Sequence, residues 1–116
     1  MSNPKQLSVQ ALQWNGHSLS VLDQRLLPEK IAYDDYRDAA GVTEAIASMR
    51  VRGAPAIGIA AAYGVLLSAM QHYPSDNWQT AVENDIKQLA ASRPTAVNLF
   101  WALDKMRRQL SQPSAD

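Results

Sequence analysis

Two short segments of the sequence place an arginine directly before a proline that can begin a helix. They are Arg52–Pro55, which reads Arg-Gly-Ala-Pro, and Ser92–Thr95, which reads Ser-Arg-Pro-Thr. Proline is favoured at the first helical position, because the N–H group that it lacks would have no partner there. The first N–H groups of a helix have no intrahelical acceptor and lie at the positive end of the helix dipole. The first segment therefore predicts an anion site with backbone donors at Ala56, Ile57 or Gly58, and the second predicts a similar helix start.

The side chains around these two helix starts suit a phosphate group. Gly53 allows a ligand to approach the backbone closely, and the guanidinium groups of Arg52 and Arg93 can make forked, charge-assisted contacts with phosphate. Arginines near helix starts are common, yet the helix dipole disfavours a cation there by about 0.3–1 kcal/mol. An anion lying between them would offset that cost. The sequence thus predicts one shared sugar-phosphate site formed by Arg52, Gly53, Ala54 and Arg93, with the hydroxyl of Thr95 and the amide of Asn98 as further candidates.

Other residues with chemical potential have simpler interpretations. His17 follows a predicted turn and is expected to be solvated, and His72 is expected to interact with the C-terminal end of a helix dipole. Asp34, Asp35 and Glu44 could act as acids or bases, but their positions favour solvated roles at a strand end and on a helix surface. The two histidines do not have the spacing of metal ligands, and we expect no metal site. The chain has no cysteine, which excludes disulfides, thiolate metal sites and cysteine nucleophiles within it.

Length and charge restrict the class of protein. The 116 residues suit a single domain spanning 1–116, and 47% of them are hydrophobic, which is enough for a core. The formal net charge of zero argues against a nucleic-acid-binding domain. Residues 1–10 have no apolar run resembling a secretory signal, so a cytoplasmic protein is expected. Residues 53–70 reach the length of a membrane-spanning helix, but their alanines, glycines and early proline favour a helix in a protein core.

The first part of the chain, residues 8–36, has the pattern of antiparallel β-structure. Two candidate strands, Val9–Trp14 and Leu19–Leu22, flank the dipeptide Asn15-Gly16. Asn-Gly typically supplies the two positive φ angles of a type I′ turn, so it predicts a hairpin. Alternating apolar and polar residues predict a third strand over Lys30–Tyr36.

Beyond residue 37 the hydrophobic period changes to that of an α-helix. Four helices are predicted over 38–110: a short one that carries Val42, Ala45, Ile46 and Met49, is capped by Asp38 and ends near Arg50, then Pro55–Met70, Asp76–Ala91 and Pro94–Leu110. Ser75 or Asp76 is expected to cap the third helix, and residues 111–116 are expected to form a tail or linker. The predicted fold class is α+β, with a small N-terminal antiparallel sheet (hairpin plus third strand) followed by a bundle of about four helices.

The second predicted helix has an unusual composition. Small residues recur at spacing four, namely Ala56, Ala60, Gly64 and Ser68, and the remaining faces are apolar. A stripe of small side chains lets a neighbouring helix approach closely, and a helix that is apolar on all faces is expected to be central and buried. Tyr63 and Trp101 lie in apolar stripes of the second and fourth helices, and both are predicted to be core residues.

Three segments resemble methylthioribose-1-phosphate isomerases, a family of sugar-phosphate isomerases. They are Asp23–Pro28, Val51–Gly64 and Ser92–Met106. Together they extend the resemblance from about Val9 to Leu110, and they identify the chain with the N-terminal domain of these enzymes.

The resemblance implies an activity and a division of labour. Family members convert 5-methylthioribose 1-phosphate, an aldose, into the ketose 5-methylthioribulose 1-phosphate in methionine salvage, without a metal or nucleotide cofactor. In them the residues that match Arg52, Gly53, Ala54 and Arg93 contact the substrate. They also use a cysteine and an aspartate from a larger, Rossmann-like C-terminal domain, and neither has a match here. The chain is therefore expected to be the substrate-binding part of a cytoplasmic, homodimeric enzyme without nucleic-acid or membrane partners, and to be inactive alone.

Three other functions stay open. Regulatory subunits of the translation factor called initiation factor two B resemble the same family, and they bind sugar phosphates or act in assembly. A ribose-1,5-bisphosphate isomerase would use similar chemistry. A helical interaction module without any activity is the third. The hairpin and the complete string Arg-Gly-Ala-Pro-Ala-Ile-Gly at residues 52–58 favour the methylthioribose enzyme.

Overall fold

The structure of the protein, a computed structural model, describes residues 10–111. A three-stranded antiparallel sheet comes first and four helices follow, which confirms the predicted α+β class. The strands are β1, Leu12–Trp14, β2, Leu19–Leu22, and β3, Tyr33–Tyr36, in that order across the sheet; the helices are α1, Ala39–Ala47, α2, Ala54–His72, α3, Trp78–Ser92, and α4, Val97–Ser111. The predicted β-residues 8 and 9 and residues 112–116 of the predicted tail lie outside the described residues. Ser111, which was predicted to begin the tail, is the last residue of α4, and β1 begins at Leu12 rather than Val9.

The predicted hairpin is present, but its turn differs from the expected one. Trp14 pairs with Leu19, so a four-residue loop connects β1 to β2. Asn15 does not have the positive φ that a type I′ turn requires. Instead its N–H donates to the Ser18 carbonyl (2.9 Å), and its side-chain amide donates to the hydroxyls of Ser18 (3.2 Å) and Ser20 (2.9 Å). These bonds stabilise a wider loop, and the prediction of a type I′ turn was wrong.

The third strand is shorter than predicted. It begins at Tyr33 rather than Lys30, and its pairing with β2 runs from Leu22 opposite Tyr33 to Leu19 opposite Tyr36. All of β2 is buried, whereas three of the four residues of β3 are exposed. β3 is therefore an edge strand of the described sheet. Ile31, which was placed in the predicted strand, is 59% exposed and makes no part of the core.

α1 confirms the predicted cap. The Asp38 carboxylate accepts a hydrogen bond from the N–H group of Gly41 (2.8 Å). Its buried residues include three that the spacing predicted, namely Val42, Ala45 and Ile46. The helix ends at Ala47, and Met49 beyond it has a φ of +66° and is 43% exposed. Met49 therefore leaves the predicted apolar stripe, because the backbone turns before reaching it.

α2 is the central helix, since α1, α3 and α4 all contact it. Of the predicted small stripe, Ala60, Gly64 and Ser68 are buried. A Cβ atom built at Gly64 would lie 3.2 Å from carbon atoms of Leu89 and Val42, so α3 and α1 both approach closely at that point. The small residues thus have the predicted role in helix packing.

α2 is central as predicted, but one of its faces is not buried. Ile59 is 51% exposed and Met70 is 48% exposed, and Ile59 lines an open groove between α2 and α4. Within residues 10–111, α2 is the one helix that is long and apolar enough to span a membrane by length and composition. Because three helices contact it, the same composition also suits a core helix with one uncovered face.

The last two helices start later than predicted. α3 begins at Trp78 and buries Val82, Ile86 and Leu89 as expected, but Asn77 occupies its cap position, without a side-chain hydrogen bond, instead of Ser75 or Asp76. α4 begins at Val97 rather than Pro94.

The two aromatic residues predicted to be in the core differ in outcome. Tyr63 is half-buried, packs against the core and stacks on Trp14 with ring centroids 5.0 Å apart. Trp101 is 62% exposed. It lies about 200° around α4 from both Leu99 and Leu103, because each residue turns the helix by about 100°. Those two leucines are buried, which places Trp101 on the opposite side, so the core prediction for Trp101 was wrong.

Candidate anion-binding site

The start of α2 presents open backbone. Gly53 is the residue before the helix, its φ is +91°, and no atom lies within 4 Å of the position that a Cβ would take. The helix begins at Ala54, one residue earlier than predicted, and the N–H group of Ile57 donates to the Gly53 carbonyl (2.9 Å). The groups without an intrahelical acceptor are therefore the N–H groups of Ala54 and Ala56. The earlier expectation of donors at Ile57 and Gly58 is corrected accordingly.

Arg93 does not lie directly before a helix, as the sequence suggested. It follows the last residue of α3, and the N–H group of Ala96 donates to its carbonyl (3.0 Å), which closes a turn around Pro94 and Thr95. The residue before a proline is displaced from helical geometry, and proline suits the second position of a tight turn. Arg93 therefore enters the site from the α3–α4 connection, with α4 beginning at Val97.

The two segments meet in one open cavity of about 350 Å³. Its lining residues are Gly53, Ala54, Ile57, Arg93, Thr95, Ala96, Val97 and Asn98. Five of the six residues predicted for the sugar-phosphate site are among them. Arg52 is exposed and does not line the cavity, although it directly precedes Gly53.

A close helix contact brings the two segments together. A Cβ atom at Gly58 would lie 3.3 Å from the backbone oxygen of Asn98 and 3.7 Å from the Ala102 side chain. Glycine therefore permits the first turns of α2 and α4 to lie against each other. The spacing pattern did not predict this role, because Gly58 lies outside the stripe at spacing four. The string Gly-x-Ala-x-x-x-Gly at 58–64 contains the signal only when both sides of α2 are considered.

The charges at the site are suited to an anion. No ion pair within residues 10–111 includes Arg52 or Arg93. No carboxylate or histidine lines the cavity. Over the same residues no cluster of metal-ligating side chains occurs. The cavity can therefore hold a negatively charged group through Arg93, backbone N–H groups and small polar side chains, but it holds no acid–base group of its own.

The family comparison covers this whole site. A model described as the Initiation factor 2 subunit family matches residues 50–116, a range that includes every lining residue of the cavity. The chain belongs to the Initiation factor 2 subunit family.

The chain is similar in sequence to curated proteins named methylthioribose-1-phosphate isomerase. The chain is 61% identical over 111 residues to methylthioribose-1-phosphate isomerase of Methylococcus capsulatus, covering 94% of this chain and 32% of the relative. It is 53% identical over 105 residues to the protein of that name in Azotobacter vinelandii, covering 90% of this chain and 29% of the relative. The chain thus spans about a third of the length of the curated relatives that it matches.

Two solved structures share the fold. The crystal structure of 5-methylthioribose 1-phosphate isomerase from Pyrococcus horikoshii has a TM-score of 0.87 and 35% identity, covering 99% of this chain and 33% of that one. Translation initiation factor eIF-2B, subunit delta, from A. fulgidus has a TM-score of 0.81 and 34% identity, covering 92% of this chain and 32% of that one. The isomerase and the translation factor subunit therefore share the fold of this chain.

The structure also shows an ionic cluster around Asp23, after β2, which the residue spacing did not predict. Asp23 is 4% exposed. Its carboxylate accepts hydrogen bonds from Nε (2.9 Å) and Nη2 (2.7 Å) of Arg25, and Arg50 Nε lies 3.8 Å from its Oδ2. The hydrogen bonds from Arg25, with the charges of Arg25 and Arg50, hold the pKa of Asp23 below its usual value against the opposing effect of burial. The available signal was the Asp-x-Arg spacing after β2.

The remaining candidates occupy other parts of the fold. Asp34 and Glu44 face Arg50 at 3.6 and 3.2 Å, and the Asp35 carboxylate accepts a hydrogen bond from Ser20. His72 Nε2 lies 3.4 Å from an Asp85 carboxylate oxygen. None of these groups lines the cavity, and His17 is exposed in the hairpin loop.

Proposed function

We propose that this chain is the N-terminal, sugar-phosphate-binding part of an aldose–ketose isomerase that converts 5-methylthioribose 1-phosphate into 5-methylthioribulose 1-phosphate. The observation that carries the proposal is the meeting of Gly53, Ala54, Arg93, Thr95 and Asn98 in one cavity without a carboxylate. The identity of the substrate is inferred from the relatives named methylthioribose-1-phosphate isomerase. Because this chain covers only about a third of those relatives, we infer that the complete enzyme has a further domain.

The phosphate group occupies the cavity at the start of α2. The N–H groups of Ala54 and Ala56 point toward it with the positive end of the helix dipole. Arg93 supplies a forked cation from the opposite side. Arg52 reaches the same anion from the exposed rim, by rotation of its side chain over Gly53. Thr95 and Asn98 donate to the remaining phosphate or sugar oxygens.

The acid and base of the reaction come from outside this chain. Aldose–ketose conversion moves hydrogen between adjacent carbons, which needs a base at carbon and an acid at oxygen. The chain has no cysteine, and no carboxylate or histidine of the described residues lines the cavity. A phosphate site binds the ground state and the transition state about equally, so it does not lower the chemical barrier by itself. We place the catalytic groups in a C-terminal domain that closes over the cavity.

The cellular setting follows from the same proposal. The complete enzyme acts in methionine salvage in the cytoplasm, as a homodimer, and uses neither a metal nor a nucleotide cofactor. Its partner for the uncovered cavity is its own C-terminal domain. Nucleic acid and membrane have no role in this function.

A second function has one specific observation in its favour. The structural match to the eIF-2B delta subunit is nearly as good as the match to the isomerase, with TM-scores of 0.81 and 0.87. A regulatory or assembly subunit that binds a sugar phosphate would use the same cavity without any catalytic group. A ribose-1,5-bisphosphate isomerase would also use it, with a second phosphate in place of the methylthio group.

Binding and turnover separate these functions. Inorganic phosphate titrated into the ¹⁵N-labelled chain should shift the amide signals of Ala54 and Ala56, and Arg93→Ala should abolish the shifts. Arg108→Ala is the matched control, because Arg108 is exposed on α4 about 16 Å along the helix from Val97. Shifts that survive in Arg93→Ala contradict the site.

The turnover experiment concerns the chain and a longer protein. The chain alone should give no 5-methylthioribulose 1-phosphate, whereas the protein with the length of its relatives should, and Arg52→Ala should lower its kcat/KM by about a hundredfold. Turnover by the chain alone would show that it carries its own acid and base. Phosphate binding without turnover in the longer protein would favour the regulatory function.

A further inference from the structure

Arg50 makes several of the contacts that hold the loop leading from α1 into the cavity, residues 48–53. The Arg50 N–H group donates to the Ala45 carbonyl (3.0 Å), and the Arg50 carbonyl accepts a hydrogen bond from the N–H group of Gln24 (3.2 Å). Its Nη1 also donates to the Ser48 hydroxyl (2.6 Å). Arg50 therefore ties this loop both to α1 and to the short 3₁₀ helix, Gln24–Leu26, that follows β2.

The side chain of Arg50 is surrounded by carboxylates. Its Nε lies 3.8 Å from Asp23 Oδ2 and 3.6 Å from Asp34 Oδ2, and its Nη1 lies 3.2 Å from Glu44 Oε1. Nε is buried and has no hydrogen-bond acceptor within the described part of the chain. The attraction of the two nearby carboxylates is thus what stabilises this buried N–H group.

Asp23 differs from the other two carboxylates in burial and rigidity. Its side chain is 5% exposed, against 50% for Asp34 and 64% for Glu44. Water and salt weaken the attraction of exposed charges much more than that of a buried one. Asp23 is also fixed by three hydrogen bonds from Arg25, two from its side chain and one from its N–H group (3.1 Å). The N–H group of Asp23 itself donates to the Ala32 carbonyl (2.8 Å). Asp23 is therefore the partner that can define the position of Arg50.

The backbone between Arg50 and the cavity needs such support. Met49 and Gly53 on either side of it both have left-handed φ angles, +66° and +91°. A residue with a Cβ is disfavoured in this conformation, so Met49 keeps it only while neighbouring contacts hold the loop. Val51, 1% exposed, anchors the middle of the loop in the core.

We propose that Asp23 is a positioning residue for the anion-binding loop. It holds Arg50 and through it sets the placement of Arg52, Gly53 and Ala54, without contacting the ligand. This inference rests on the function proposed above, because it concerns how well that phosphate site is formed. Removal of the Asp23 charge leaves the Arg50 side chain with only its more exposed carboxylate partners, Asp34 and Glu44. The loop is then held less precisely, and its N–H groups converge on the anion for less of the time.

The test uses the complete 116-residue chain and inorganic phosphate. Asp23→Asn keeps the shape of the side chain and removes its charge. At a temperature where amide dispersion shows a folded chain, its Kd for phosphate should rise by about three- to tenfold, a loss of about 0.7–1.4 kcal/mol. Glu83→Gln is the matched control, because it breaks the forked Glu83–Arg107 ion pair (2.9 Å) about 15 Å along α4 from Val97. Its Kd should equal that of the unaltered chain.

The outcomes separate positioning from stability. An unchanged Kd in folded Asp23→Asn overturns the proposal, whatever the melting temperature, because a merely structural aspartate affects only the folded fraction. If Asp23→Asn does not fold, Arg50→Gln should give the same rise, and an unchanged Kd there overturns it equally. The double variant should lose no more affinity than the Arg50→Gln variant alone, since the Asp23–Arg50 contact is already absent there. An unaltered chain that binds no phosphate refutes the proposed site and this inference together.

Discussion

Two glycines, one directly before α2 and one in its middle, lie in contrasting surroundings. At Gly53, before the first turn, a Cβ would meet nothing within 4 Å, and the backbone is held at a φ of +91°. At Gly64, in the middle of the helix, a Cβ would lie 3.2 Å from three carbon atoms of neighbouring helices. One glycine is needed for backbone conformation beside an open cavity, and the other for lack of volume inside the core.

The contrast extends to the residues around each glycine. The start of α2 has an exposed arginine, free backbone donors and no carboxylate in the cavity lining. The middle of α2 is enclosed, and the hydroxyl of its buried Ser68 donates to an Asp85 carboxylate oxygen (2.6 Å). The middle therefore stabilises the fold, whereas the start keeps its polar groups available for a ligand. Substitutions at the two places should separate stability from binding.

Of the two glycine substitutions, Gly64→Leu is expected to have the larger effect on stability. Carbon atoms already lie 3.2 Å from the Cβ position, so a leucine there forces the helices apart and should cost about 3 kcal/mol, at the upper end of over-packing costs. Each kcal/mol lowers the melting temperature by roughly 4–8 °C in a domain of this size. Thermal unfolding measures it, with Ala62→Leu in the open groove as the control. A Gly64→Leu chain that melts with the unaltered one would show that Gly64 has room beside it.

Gly53→Ala is expected to have a smaller effect on stability but an effect on binding that Gly64→Leu lacks. Space is free for the methyl group, so the cost comes from the strained backbone, with a φ of +91° and a ψ of 134°, and should be about 1–2 kcal/mol. A shift of the backbone toward negative φ would also turn the N–H group of Ala54 away from the anion. Phosphate titration of both variants decides the comparison. Equal phosphate affinity in Gly53→Ala and the unaltered chain would contradict the proposed role of Gly53 in placing the Ala54 N–H group toward the anion.

The pH dependence of stability should reveal Asp23. Its pKa in the folded chain is lowered, chiefly by the hydrogen bonds from Arg25, so its stabilising effect is complete above the unfolded value of about 3.9 and is lost as pH falls through the folded pKa. The difference in melting temperature between the unaltered chain and Asp23→Asn should therefore be constant near neutrality and shrink below about pH 4. Glu29→Gln, at an exposed position, should show little difference at any pH. A difference in melting temperature that grows as the pH falls would contradict a lowered pKa of Asp23.

The smallest effect is expected for Trp101→Ala. Trp101 is 62% exposed and lines the groove beside the start of α2, with Lys105 Nζ 5.1 Å from its ring centroid. An exposed contact of this kind contributes about 0.5–1 kcal/mol at most. Leu103→Ala, two residues further and buried, should cost about 2–5 kcal/mol and serves as the comparison. Comparable melting temperatures for the two variants would contradict the assignment of the two sides of α4.

Much of the fold is predictable because it depends on neighbours along the chain. The change from period two to period 3.6 near residue 37 predicts the sheet and the four helices, and Asp38 reaches the N–H of Gly41 three residues on. The predicted ends of helices differ from the observed ones where two local preferences compete. Pro94 suits both a first helical position and a turn. In the structure it lies in a turn, which is closed by the hydrogen bond from the Ala96 N–H group to the Arg93 carbonyl.

The residues of the candidate site were also within reach of the sequence. Glycine before a helix, arginine before proline and small polar residues nearby are local signals, and the resemblance strengthened them. They identified Gly53, Ala54, Arg93, Thr95 and Asn98, which the structure brings into one cavity. The two segments are some forty residues apart in the sequence. Local signals do not specify that they lie side by side, and the structure shows that they do.

By itself, the sequence determined the kinds of element, the cap of α1, the small stripe of α2 and the family resemblance, because each depends on residue type and short-range spacing. Only the tertiary structure decided which apolar faces are covered, leaving Ile59 and Trp101 exposed while Leu103 is buried. It also decided that Asp23 meets Arg50, 27 positions further along the chain, and that Gly58 lets α4 lie against the start of α2. The physical reason is that burial and charge pairing depend on what lies nearby in space, and periodicity along one element does not specify its neighbours.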